Sequence, residues 1–175
     1  MKIPQNLPQF ENDKVIFVIT GRQAAEFYLG HNGDLTELVE FKIENPSYAD
    51  EKGSSMHRSG GITFGFGWAL ERNKQEETKD FLKQLGETSK RILAKYDATK
   101  IYLFSPQYIL GGTKEVVKNI AGNKTEVRTF SGNYTRMHPL KLLEELQDRN
   151  TRHAEKNKAG RIKEEARKIL QRRRG

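Results

Sequence analysis

The chain has 175 residues, enough for one domain with a buried core. Its 35% hydrophobic content and mean hydropathy of −0.80 leave part of it outside that core. The absence of cysteine excludes disulfides and zinc–thiolate sites. The formal net charge of +8 is concentrated: residues 151–175 carry ten Lys/Arg and three Asp/Glu, while the rest carries 21 and 20. The tail is therefore a cation on a nearly neutral body. An acidic partner is expected for it, with RNA, DNA and an anionic membrane surface as candidates.

In chain order, "MKIPQNLPQF" lacks an apolar h-region, so no signal peptide is expected and the chain is assigned to the cytoplasm. Residues 1–13 read as an irregular lead-in broken by Pro4 and Pro8. "VIFVIT", residues 15–20, reads as a buried strand, and as an apolar run it is far too short to span a bilayer. "AAEFYLG" continues after Gly21, and "HNGD" is a turn. In "LTELVEFKI", Val39, Phe41 and Ile43 alternate with Glu40 and Lys42, the period of a half-buried strand. Residues 15–43 therefore form an antiparallel meander ended by Pro46.

Residues 45–66 read as a loop. A helix follows from about 70 to 96, with Phe81, Leu85, Ser89, Ile92 and Tyr96 on one face and Lys/Glu on the other. "KIYLFSP", 100–106, is a short buried strand. "GGTKEVVKNI" starts a helix at about Thr113, read as an N-cap after Gly111 and Gly112. "TEVRTF", 125–130, is another strand. "HPLKLLEELQDRN" is a helix with Pro139 near its first turn, running on into the charged tail. Strands alternating with helices in the second half argue for parallel neighbours there.

Few motifs carry chemistry. "GFGWAL" lacks the third glycine of a dinucleotide fingerprint and follows a loop. "ILGGTKEVV" lacks the Walker Gly-Lys-Ser/Thr. Its plain reading is a tight turn with a capping Thr, and an anion at the helix N-terminus is the alternative. No G-x-S-x-G nucleophile elbow occurs, and His31, His57, His138 and His153 have no metalloprotease spacing. Glu76–Glu77 and Glu144–Glu145 fall on solvated helix faces.

The remaining motif is "GSSMHRSGGITFGFGW", residues 53–68, with five glycines, His57 and Arg58, and three aromatics. One reading is a surface connection without function. The other is a loop whose basic residues hold phosphates and whose adjacent Gly60 and Gly61 let the backbone approach a crowded centre that a Cβ would block. Phe64, Phe66 and Trp68 could stack on bases or bury into the domain.

The order of a strand meander, then "HRSGGITFGFGWALERNKQEETKDFLKQLGE", then "IYLFSPQYILGGTKEVV" resembles the central domain of archaeal and eukaryotic peptide-chain release factors, in particular its bacterial branch. The resemblance covers residues 15–146 and rests on order, pattern and one short motif. In that family a basic-Gly-Gly-Gln loop precedes a long helix and enters the peptidyl-transferase centre, where its Gln helps water attack the peptidyl-tRNA ester. The resemblance assigns Gly60 and Gly61 to the two glycines and Ile62 to the Gln position. Ile62 has no amide side chain, and its backbone N–H alone remains to stabilise an oxyanion or leaving hydroxyl.

The expected architecture is α/β: a mixed sheet with an N-terminal antiparallel meander, packed helices and a basic C-terminal helical extension. Its divisions are 1–13, a release-factor-like domain over 14–149, and the tail over 150–175. The resemblance implies a ribosome- or tRNA-associated factor that binds rRNA or tRNA without a cofactor or metal. The expected RNA-binding residues are His57, Arg58, Arg72, Lys74, Arg152, Lys156, Lys158, Arg161, Lys163, Arg167, Lys168, Arg172, Arg173 and Arg174. Two alternatives stand beside it. One is peptidyl-tRNA ester hydrolysis in release or rescue of stalled ribosomes, with Gly60, Gly61 and Ile62 as the candidate catalytic loop. The other is a non-catalytic interaction module, including the attachment to host cells with which some bacterial relatives of that family are labelled. No membrane insertion and no small-molecule ligand are expected, and the sequence leaves the oligomeric state open.

Overall fold

The computed structural model describes residues 1–43 and 67–152, with side chains given throughout except at 67–74. Strand β1 (Val15–Thr20) is buried at all six positions, which explains why its sequence is continuously apolar rather than alternating. It pairs antiparallel with β2 (Ala24–His31), which pairs antiparallel with β3 (Asp34–Lys42). Asn32 and Gly33, at φ 48° and 75°, make the two-residue turn between them. Positive φ at both central residues is what a type I′ hairpin requires, and Asn-Gly is its preferred pair.

Helix α1 (Gly67–Tyr96) is 30 residues long, about 45 Å at 1.5 Å per residue. Its stripe of Phe81, Leu85, Ser89 and Ile92 is buried, as the four- and three-residue spacing implies. Strand β4 (Lys100–Ser105), helix α2 (Leu110–Ala121) and strand β5 (Glu126–Ser131) follow. A third helix, α3, runs from 139 to 152, the last described residue. Pro139 opens it, where a missing N–H costs nothing, and His138 Nδ1 accepts the Leu140 N–H at 3.3 Å.

The described strands form one sheet in the order β3-β2-β1-β4-β5, and β1, β4 and β5 are mutually parallel. The sheet separates two cores. On one face Phe17, Phe104 and Phe130 pack under Leu142, Leu143 and Leu146 of α3. On the other Val18, Phe27 and Leu103 pack under Phe81 and Leu85 of α1 and Val117 of α2. The fold class read from the sequence is the one observed, over the described residues.

One local reading is corrected. Thr113 does not cap α2. The helix starts three residues earlier, and the Thr113 hydroxyl is fully buried inside it, 3.2 Å from Ser105 Oγ and from the Ile109 carbonyl. Gly111 and Gly112 therefore lie within the helix; a Cβ on Gly112 would sit 3.0 Å from Leu82 Cδ1 of α1. Residues 1–13 contain no strand or helix beyond one bridge from Lys2 to Asp34, yet Ile3 and Leu7 are buried in the α3-side core.

Candidate functional site

Parallel pairing gathers several chain reversals at one edge of the sheet. β1, β4 and β5 all end there, at Thr20, Ser105 and Ser131. β3 runs parallel to β1, because each is antiparallel to β2, so Lys42 and Ile43 reach the same edge. α1 also begins on this side. Gly86 of α1 faces Val116 and Ile120 of α2, and Leu82 faces Gly112, so the two helices run side by side in one direction. α2 enters directly from the end of β4. In open α/β sheets the crevice beyond the carboxyl ends of the strands is where ligands bind.

The height of α1 relative to this edge is marked by a hydrogen bond. Gln23, in the turn after β1, donates from Nε2 to Glu77 Oε2 at 2.9 Å. Gly67 lies ten residues before Glu77, so the first turns of α1 carry the backbone about 15 Å further. Arg72 and Lys74 belong to this projecting stretch.

The edge itself is polar and tightly assembled. Ser131 Oγ donates to Gln107 Oε1 at 2.6 Å, and the Gly132 N–H donates to the Ser105 carbonyl at 3.0 Å. Gly21 abuts the loop after β5 so closely that a Cβ would stand 2.7 Å from Thr135 Cγ2. Arg22 and Arg136 flank that contact, are exposed, and form no ion pair among the described residues. Arg136 has φ 65°, an uncommon conformation for a side-chain-bearing residue. In the β4–α2 loop, Tyr108 is 70% exposed. Arg22, Tyr108 and Arg136 come from three separate loops, and no local motif marks them in the sequence.

Behind the edge, side-chain contacts hold α3 to β5. Arg149 donates from one NH2 group to Tyr134 Oη at 2.9 Å and from Nε to Glu145 at 2.6 Å, and lies 5.3 Å from the Phe130 ring centre. Burial raises the Tyr134 phenol above its ordinary value, so it stays neutral at physiological pH.

Most residues singled out from sequence lie outside the described residues. His57, Arg58, Gly60, Gly61 and Ile62 fall in 44–66, and Lys156, Lys158, Arg161, Lys163, Arg167, Lys168, Arg172, Arg173 and Arg174 in 153–175. Arg152 is exposed at the last described turn of α3. Among the described residues no group of three or more His, Cys, Asp or Glu could hold a metal ion, and no helix is long and apolar enough to cross a membrane.

No protein-family model and no curated protein matches the chain. Among solved structures it is similar to an archaeal translation termination factor, at 14% identity and TM-score 0.39, over 76% of this chain and 34% of that one. It is also similar to the type II variant of the Ppx/GppA phosphatase of Aquifex aeolicus, at 15% identity and TM-score 0.34, over 67% of this chain and 36% of that one. The chain thus spans about a third of each of these two structures. Nearly equal scores against proteins of different names leave these likenesses without weight for function.

Proposed function

We propose that this chain is a translation-associated RNA-binding factor that presents its Gly60-Gly61 segment from the carboxyl edge of the sheet. The observation carrying this reading is that Ile43 and Gly67, which bracket residues 44–66, both belong to that edge or to the helix rising from it. A segment with His57-Arg58 and two adjacent glycines is suited to close approach to phosphates. Arg22 and Arg136 add two exposed cations at its base, and Tyr108 adds a face on which a base can stack. The tail, from Arg152 through Arg174, supplies further phosphate contacts.

Cosedimentation of the full chain with ribosomes, at low and at high salt, tests this. Binding at low salt that falls steeply as salt rises is expected, because neutralising phosphates releases counterions. No binding at low salt refutes it. Ester hydrolysis would need chemistry from the loop itself, where Ile62 offers only its backbone N–H. Equal peptidyl-tRNA release by wild type and Gly61→Ala would remove that reading while leaving RNA binding intact.

A further inference from the structure

The outer edge of β3 carries outward-facing backbone groups. Strand pairing fixes which of its amides face outward. At its start, the Leu35 N–H donates to the Met1 carbonyl at 2.9 Å and the Met1 amino group donates to the Leu35 carbonyl at 2.7 Å. Leu35 thus points away from β2, and this edge already accepts extended chain. At the far end, the Ile43 N–H points inward, to the Gln23 carbonyl at 2.7 Å. Alternation between these two anchors, with the extra residue of the bulge opposite Phe27 and Tyr28, turns the backbone of Glu37, Glu40 and Lys42 outward. Among the described residues, no strand pairs with that side of β3.

The two faces beside this edge differ in charge. On the α1 side, Leu38 and Val39 of β3 and Ile92 and Tyr96 of α1 line a groove of about 180 Å³, with Arg91 and Lys95 exposed at its rim. On the opposite face Glu37 and Glu40 are exposed, with Lys42 beside Glu40, and Glu26 is paired directly across from Glu40. Like charges placed opposite one another weaken a strand pair. A cationic side chain laid beside them would relieve that repulsion.

We infer that the β3 edge binds an extended segment of another protein by strand addition. The segment alternates Lys or Arg, set against Glu37 and Glu40, with apolar and acidic residues, set into the groove under Arg91 and Lys95. A second copy of β3 is a poor occupant, since it would bring another set of glutamates to the same face.

The probe is a synthetic peptide, KLKDKLKDKL, with ELEKELEKEL as the reversed control, titrated into the full chain. The net charge of +8 favours the control, so preference for the probe by about tenfold reports the edge rather than bulk charge. The amides of Glu37, Glu40 and Lys42 should gain protection from hydrogen exchange when the probe binds. Replacing Glu37 and Glu40 by Lys, with Arg91 and Lys95 replaced by Glu, should invert the preference. No binding of either peptide at millimolar concentration overturns the inference. So does protection of those amides in the free chain: if concentration-dependent, a second copy holds the edge, and if not, the chain's own residues do. The exchange experiment uses only wild type and stands even if the fourfold variant fails to fold.

Discussion

Ser89 should be a liability to the fold. It lies in the middle of the buried stripe of α1, 3% exposed, between Leu85 and Ile92. Among the described residues its hydroxyl has no hydrogen-bond partner, and the space beside it, walled by Ile16, Phe27, Ile101 and Val117, has no room for a water molecule. A buried hydroxyl without a partner costs about 1–3 kcal/mol. Alanine is also the better helix former by about 0.5 kcal/mol, whereas removing one oxygen enlarges the void only slightly. Ser89→Ala should therefore stabilise the protein by about 1–2 kcal/mol. Over roughly 130 described residues this raises Tm by about 4–7 °C. Thr113→Val is the contrast, because that buried hydroxyl is bonded to Ser105 and to the backbone, and its loss should cost about 1 kcal/mol. Urea and thermal melts followed by far-UV circular dichroism measure both variants. Destabilisation by Ser89→Ala would mean that the hydroxyl is satisfied and the reasoning wrong.

Asp13 bonds Lys100 at 2.6 Å and Thr99 at 3.0 Å, and these contacts hold its carboxyl below the ordinary 3.8. A depressed carboxylate contributes stability above its unfolded value and loses it as pH falls through the folded value. Asp13→Asn should thus destabilise the chain near neutral pH, and urea melts should show the gap closing below about pH 3.8. Lys100 is shifted upward by the same contact, so its own contribution should disappear only as pH rises above the ordinary lysine range. Gly33→Val forces a branched side chain into φ 75° and should cost about 1–2 kcal/mol in the same melts. Replacing Arg22 and Arg136 together by Ala should leave the melting curve unchanged and reduce the salt dependence of ribosome binding by roughly one to two phosphate contacts. An unchanged salt slope would remove these arginines from the interface.

The meander was legible because its signals are local: alternation in β3 and Asn-Gly at the hairpin. α1 was legible because its apolar residues return at helical spacing. The start of α2 was misread because Gly111-Gly112 looks like a breaker. At Gly112 the glycine answers instead to Leu82 of α1, a contact between residues thirty positions apart. Burial of Ile3 and Leu7 was hidden by the prolines beside them, which break regular structure but not packing. Arg22, Tyr108 and Arg136 were missed as a group for a related reason: only the parallel pairing of β1, β4 and β5 brings their loops to one edge. The pattern that raised Gly60 and Gly61 as candidates was readable in the sequence, and both lie outside the described residues.

The pairing of β1 with β4 also bears on how the chain folds. Val15 meets Lys100 across an intervening stretch of about 85 residues, and the entropy of closing such a stretch grows only with the logarithm of its length. Removing all of 44–66 would change that closure term by roughly 0.3 kcal/mol. Closure entropy therefore places almost no constraint on the length of that segment.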